Sequence, residues 1–137
     1  MKAFLDTNIF LYSFLDQDVW KKTVAARLVA DAVQRQNGFV SLQVVKEFCN
    51  VMVKKSGRTA SEIARALDVF HRVHMVSGSM GTIRRALEIR DKHGIQFYDA
   101  LMLSSAETAA CDTIFTEDLN DGQMYGTVKA VNPFKGM

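Results

Sequence analysis

The sequence has two cysteines, one proline and three histidines, and no long apolar run. Cys49 and Cys111 stand far apart, outside any CxxC spacing and with no histidine nearby at ligand spacing. Neither a disulfide framework nor a cysteine–histidine zinc site fits them, and both read as small core hydrophobes of a reduced, intracellular protein. His71, His74 and His93 join no pattern that pairs histidine with a serine or cysteine nucleophile, and no GxxxxGK[ST] phosphate loop is present. No stretch has the length to cross a bilayer, and the acids Asp6 and Asp16 around the first apolar run do not suit a signal peptide. The expectation is a cytoplasmic protein with no membrane partner. Charge is balanced too: 17 basic against 15 acidic side chains leave +2, which permits a nucleic-acid partner without requiring one.

What is present is a chain of 137 residues, 48% hydrophobic, long enough for one sizeable core and read as a single domain over 1–137. Short apolar runs predict strands at Lys2-Ala3-Phe4-Leu5, Phe39-Val40, Val73-His74-Met75-Val76, Thr113-Ile114-Phe115 and Thr127-Val128-Lys129-Ala130-Val131. Helical segments lie between them. Asp18 caps a long one whose predicted buried stripe is Val19, Ala26, Val29, Ala30 and Val33, with Asn37-Gly38 as its stop. Ser41 caps the next, with Leu42, Val45, Cys49, Met52 and Val53 as its apolar face and Glu47 at the margin. Thr59 followed by Glu62 is a capping box. A further helix from Thr82 to Lys92 carries Ile83, Ala86 and Leu87 and stops at His93-Gly94. Strands alternating with helices predict an α/β fold: a mainly parallel central sheet of four to five short strands with helices on both faces.

In such a sheet ligands bind beyond the carboxyl ends of the strands. Asp6 follows the first strand directly, Glu47 lies in the helix after the second, and Asp118 follows the fourth. Asp99 opens the run Phe97-Tyr98-Asp99-Ala100-Leu101-Met102-Leu103, apolar or small nearly all round, where an unpaired carboxylate is costly. Taken singly, Asp6 and Asp99 read as helix caps, Glu47 as a solvated helix edge, and Asp118 and Asp121 as turn residues. Taken together, four carboxylates from four segments converge on one rim. Such a cluster needs protons or cations, and oxygen-only donors suit Mg²⁺ or Mn²⁺ rather than zinc. The matching reaction is hydrolysis of a phosphodiester.

Phe4-Leu5-Asp6-Thr7-Asn8, Glu47 within Val45-Lys46-Glu47-Phe48, Tyr98-Asp99-Ala100-Leu101 and Thr116-Glu117-Asp118 resemble, in order and spacing, the motifs of PIN domains. The length and register are similar to the VapC-type toxin ribonucleases of type II toxin–antitoxin pairs. The resemblance implies a PIN-like three-layer fold and an endoribonuclease dependent on Mg²⁺ or Mn²⁺. It also implies a homodimer and a cognate antitoxin protein. Carried over by position, Asp6, Glu47, Asp99 and Asp118 form an acidic tetrad. Asp6 and Asp99 are the direct metal ligands, Asp118 a ligand of metal or water, and Glu47 a water-mediated ligand or general base. Asn8 and Thr116 orient the carboxylates. The turn also offers Glu117 and Asp121, and spacing does not decide whether Asp121 supplements or replaces Asp118.

The basic pairs Lys21-Lys22, Lys54-Lys55 with Arg58, Arg65 with Arg72, and Arg84-Arg85 are scattered over several helices and read first as solvated faces. Those that flank the acidic rim can hold RNA phosphates. Tyr12, Trp20 and Tyr125 can stack on bases, with core or dimer packing as the default; Met52, Met75 and Met102 are core. The alternative function is a catalytically silent PIN-type module that binds nucleic acid or a partner. A phosphoacceptor receiver domain fits poorly, because Ser41 follows the second strand and Lys129 lies inside the last one. Nothing among the residues distinguishes RNA from DNA as the substrate.

Overall fold

A computed structural model describes residues 1–136. Its elements are β1 (Ala3–Leu5), α1 (Thr7–Phe14), α2 (Val19–Arg35), β2 (Gly38–Ser41), α3 (Leu42–Lys55), α4 (Ala60–Ala66), a 3₁₀ turn (Leu67–Arg72), β3 (His74–Val76), α5 (Met80–His93), α6 (Phe97–Thr108), β4 (Thr113–Phe115), β5 (Met124–Tyr125) and β6 (Val128–Val131). The strands form one six-stranded sheet in the order β3-β2-β1-β4-β6-β5. All neighbours are parallel except β5, which pairs antiparallel with β6 and was not expected from its two-residue length. Among the described residues no helix is long and apolar enough to cross a membrane.

The order fixes where a site can form. From β1 the chain steps to β2 and β3 on one side, then returns to place β4 on the other side of β1. Right-handed crossovers therefore put α1 to α4 on one face and α5 with α6 on the other. The direction reverses between β1 and β4, and the crevice beyond their carboxyl ends is the topological switch point. Asp6 N donates to Phe115 O at 3.1 Å across this junction, and Thr116 N donates to Val131 O at 3.0 Å.

Local chemistry sets the helix ends. The Asp18 carboxylate accepts from the N–H groups of Trp20 and Lys21, the Ser41 hydroxyl accepts from Val44 N, and Thr59 with Glu62 forms the capping box. Gly94 ends α5 in the left-handed region, at φ 64°. Gly38 is required for a different reason: a Cβ there would meet Ala32 Cβ at 2.8 Å, so its absence lets α2 settle on the sheet. The core beneath is built from Phe4, Leu5, Ile9, Phe10, Val40, Phe48, Leu103, Ile114 and Val128, all at or below 1% exposure.

Three helices bury only part of the stripe their periodicity suggested: Val29, Met52 and Ala86 are core as expected, and the rest of the buried face is shifted. In α2 the buried residues are Ala25, Val29 and Ala32, while Val19 is 73% exposed and Ala26 and Ala30 face solvent. In α3 they are Val44, Phe48 and Met52, leaving Leu42 and Val53 outside. In α5 they are Thr82, Ala86 and Ile89, leaving Ile83 and Leu87 outside. Each helix carries apolar residues on two sides, so the stripe alone cannot say which side the sheet takes. Met75, read as core, is 44% exposed on edge strand β3. Cys111 is buried, and burial raises its thiol pKa to about 11, so it stays a neutral hydrophobe.

Candidate active site

Beyond the β1–β4 junction lies an open cleft of about 240 Å³. It is lined by Asp6, Thr7 and Asn8 from the start of α1, Glu47 and Asn50 from α3, Tyr98 and Asp99 from α6, and Asp118 from the turn after β4, with Leu11, Val51 and Met102 as its apolar part. Four of the five acids singled out in the sequence thus share one wall. Asp121 does not join them. Its Oδ1 accepts from Asn132 N at 2.8 Å and its Oδ2 lies 3.6 Å from Lys135 Nζ, so it fastens the C-terminal segment. Three residues after Asp118, the turn has already pointed the chain elsewhere.

Asp6 is 3% exposed and stands at the N-cap position of α1, where its carboxylate faces the backbone N–H of Asn8. Its Oδ2 accepts from Thr116 Oγ1 at 2.7 Å, and the same oxygen of Thr116 accepts from Asp118 N at 3.1 Å. Thr116 itself is 1% exposed and ties two corners of the cleft together. Burial pushes the Asp6 carboxyl up to about 7, against the lowering bond from Thr116 and with the help of the charges on Asp118 and Asp99. Asp99 sits in the first turn of α6, where Gln96 and not Asp99 is the cap. Burial, then the charges of Asp118 and Glu47, raise its carboxyl to about 6. Asp118 is raised as well, first by burial and then by neighbouring Glu117.

Glu47 is held at both oxygens. Thr7 Oγ1 donates to Oε2 at 2.8 Å and Gln43 Nε2 donates to Oε1 at 2.7 Å. Neither Thr7 nor Gln43 was singled out in the sequence. Gln43 was legible in principle, since residues four apart on a helix share a face. Its own Oε1 is buried and finds no partner among the described residues. Beside Asp118 in the turn, Tyr12 Oη donates to Glu117 Oε1 while Lys21 Nζ pairs with Glu117 Oε2 at 2.7 Å, so the Glu117 carboxylate is committed to joining α1 and α2 to the turn.

No lysine, arginine or histidine lines the cleft, and among the described residues no cation pairs with Asp6, Glu47, Asp99 or Asp118. Carboxylates raised by desolvation and further by one another's charge, Asp6 buried and the others at the cleft surface, are the arrangement a divalent cation relieves, and their oxygens are the donors that hard cations take. As placed, no three of the His, Cys, Asp or Glu groups among the described residues stand close enough to share one ion directly. Magnesium retains several of its waters, so a site of this spacing fits an ion held through one or two carboxylates and water to the others.

Residues 3–122 match the PIN domain family. The chain belongs to that family. Among curated proteins none matches. Solved structures similar to this PIN domain include a toxin–antitoxin complex from Klebsiella pneumoniae, at TM-score 0.72 and 18% identity, covering 97% of this chain and 98% of that one. VapC20 from Mycobacterium tuberculosis, a Sarcin-Ricin loop cleaving toxin, is similar at TM-score 0.70 and 18% identity over 85% of this chain and 90% of its own. VapBC2 from Rickettsia felis bound to a promoter DNA fragment is similar at 0.68 and 17%, over 96% and 100%. At such identities the likeness is one of fold: the α/β architecture with its mostly parallel sheet is that of these PIN domains.

Proposed function

We propose that this PIN domain is a divalent-metal-dependent endoribonuclease and the toxin of a toxin–antitoxin pair. The observation that carries the reading is the set of four carboxylates from four segments facing one cleft at the switch point, with no cation among the described residues paired to any of them. The fold of the VapC and VapBC structures supports the toxin assignment. Asp6 and Asp99 would hold Mg²⁺ or Mn²⁺, with Asp118 binding the ion or its water; such an ion supplies an activated water and charge to offset that of the phosphate. The remaining work falls to side chains. Thr116 fixes the Asp6 carboxylate and the Asp118 backbone relative to each other. Thr7 and Gln43 fix the plane of Glu47, whose remaining lone pairs accept a proton from an attacking water or bind the ion through one. Asn8, at the cleft wall, would orient the Asp6 carboxylate through its backbone N–H.

RNA meets an acidic cleft only if cations nearby take its phosphates. Lys54 and Lys55, at the end of α3, pair with no acid among the described residues. Lys54 is two helical turns from Glu47, about 10 Å along the same side of α3. Two partners follow from the same reading. The uncovered apolar residues Leu42 and Val53 of α3 and Met80, Ile83 and Leu87 of α5, 40–69% exposed, suit burial against a second copy in a homodimer. A cognate antitoxin would bind the toxin and block the cleft.

Cleavage of RNA and of DNA in Mn²⁺, with wild type beside Asp6→Asn and Asp99→Asn, tests the enzyme. The expected result is RNA hydrolysis by wild type and at least a hundredfold loss in both variants. Normal cleavage by both variants refutes the site. Calorimetric binding of Mn²⁺ without cleavage of any RNA would favour the silent binding module instead.

A further inference from the structure

The acids and their ion recognise a phosphate, and a phosphate is the same at every position of a strand. Something else must hold the strand in register. Of the aromatics singled out in the sequence, none is placed to do so. Tyr12 spends its hydroxyl on Glu117 with Lys21 lying over its ring. Tyr125 is 3% exposed against the ring of His93. Trp20 is 75% exposed but forms no part of the cleft.

Tyr98 is different. It is the one aromatic among the residues lining the cleft, and it is 61% exposed. Its hydroxyl bonds to no described residue. The ring of Phe97 meets it at 5.5 Å and 68°, an edge contact that steadies the ring and leaves at least one face open. An exposed tyrosine is ordinary on a protein surface; one whose next residue is Asp99, at the mouth of the acidic cleft, is not. A polynucleotide whose phosphate reaches Asp99 brings an adjoining base within reach of that ring, and the apolar side chains of Leu11, Val51 and Met102 line the same cleft.

We propose that the ring of Tyr98 is a stacking platform for the nucleobase adjoining the scissile phosphate. The proposal rests on the nuclease reading and adds to it a residue that binds substrate and touches no metal. Stacking needs only a π-face, so Tyr98 tolerates any base and requires one free to leave its own stack.

The test compares wild type, Tyr98→Ala and Tyr98→Phe in Mn²⁺, on a short single-stranded RNA that wild type cleaves and on the same RNA with an abasic residue on each side of the cleaved bond in turn. Tyr98→Ala is expected to raise KM about 5- to 100-fold, the range base–aromatic stacking supplies, with a smaller change in kcat. Tyr98→Phe is expected to restore KM. On one of the two abasic RNAs, wild type and Tyr98→Ala should have the same KM. Mn²⁺ affinity and thermal melting should be equal in all three proteins, which separates stacking from any disturbance of Asp99. An unchanged KM in Tyr98→Ala, or the same penalty on both abasic RNAs as on the intact one, overturns the proposal while leaving the nuclease standing. Absence of RNA cleavage by wild type overturns both.

Discussion

Replacing Asp6 by asparagine is expected to stabilise the metal-free protein at pH 8 and to leave it nearly unchanged at pH 3. Asp6 is 3% exposed and its carboxyl is raised from the ordinary 3.8 to about 7, mainly by burial. The direction of the pH effect follows. Below pH 3.8 the group is protonated in folded and unfolded chains alike and carries no penalty. Between there and about 7 the folded chain holds its proton more tightly, so stability is lost as pH rises, and the loss is complete above 7. Taken whole, that displacement corresponds to about 4 kcal/mol. Asparagine never ionises and escapes that penalty, but it buries an amide N–H₂ that needs acceptors of its own, so about 2–4 kcal/mol is the expected gain. In a chain of this size that is roughly 6–15 °C in melting temperature. Asparagine keeps the shape and can still accept from Thr116. Melting in EDTA at pH 3 and pH 8 measures the difference, and the order of stability at pH 8 should reverse when saturating Mn²⁺ is added, since wild type alone gains the ion's binding energy. Had Asp6 been an ordinary helix cap, asparagine would be nearly neutral at both pH values. A variant no more stable than wild type at pH 8, or equally stabilised at both pH values, refutes the reasoning.

Three further outcomes are expected. Thr116→Val removes the bond to Asp6 Oδ2 and the acceptor for Asp118 N, and should weaken Mn²⁺ binding by about 10- to 100-fold in calorimetry, with Thr116→Ser restoring it. Asp121→Asn should bind Mn²⁺ as wild type does while Asp118→Asn binds it more weakly, since only Asp118 faces the cleft. Gly38→Ala should cost about 1–3 kcal/mol in urea unfolding, because the added Cβ falls 2.8 Å from Ala32 Cβ.

The parts of this molecule that the sequence discloses are those governed by local rules. A strand ending in Asp6-Thr7-Asn8, the capping box at Thr59 and Glu62, and the apolar run behind Asp99 all follow from residue chemistry within a few positions. The convergence of Asp6, Glu47, Asp99 and Asp118 on one cleft could be anticipated because parallel strands share a carboxyl edge. Matters decided by what covers what stayed hidden. Leu42 and Val53 are as apolar as Val44 and Phe48, and only the position of the sheet chooses between the two sides of α3. Asp121 lies three residues from Asp118, and the capture of its carboxylate by Asn132 N depends on a strand that comes later in the chain. The support given to Glu47 by Thr7 crosses 40 residues, beyond any spacing rule.

The position of β1 has a consequence for biosynthesis. The strand β1 precedes every other strand of this sheet in the chain yet sits in its middle, and the oxygen of Asp6 waits for a hydroxyl 110 residues downstream. On a ribosome the nascent chain can assemble α1 to α4 against β1 and β2 long before Thr116 and Asp118 emerge. The wall of the acidic cleft is therefore completed only after α5, α6 and β4 have followed β1 out of the ribosome.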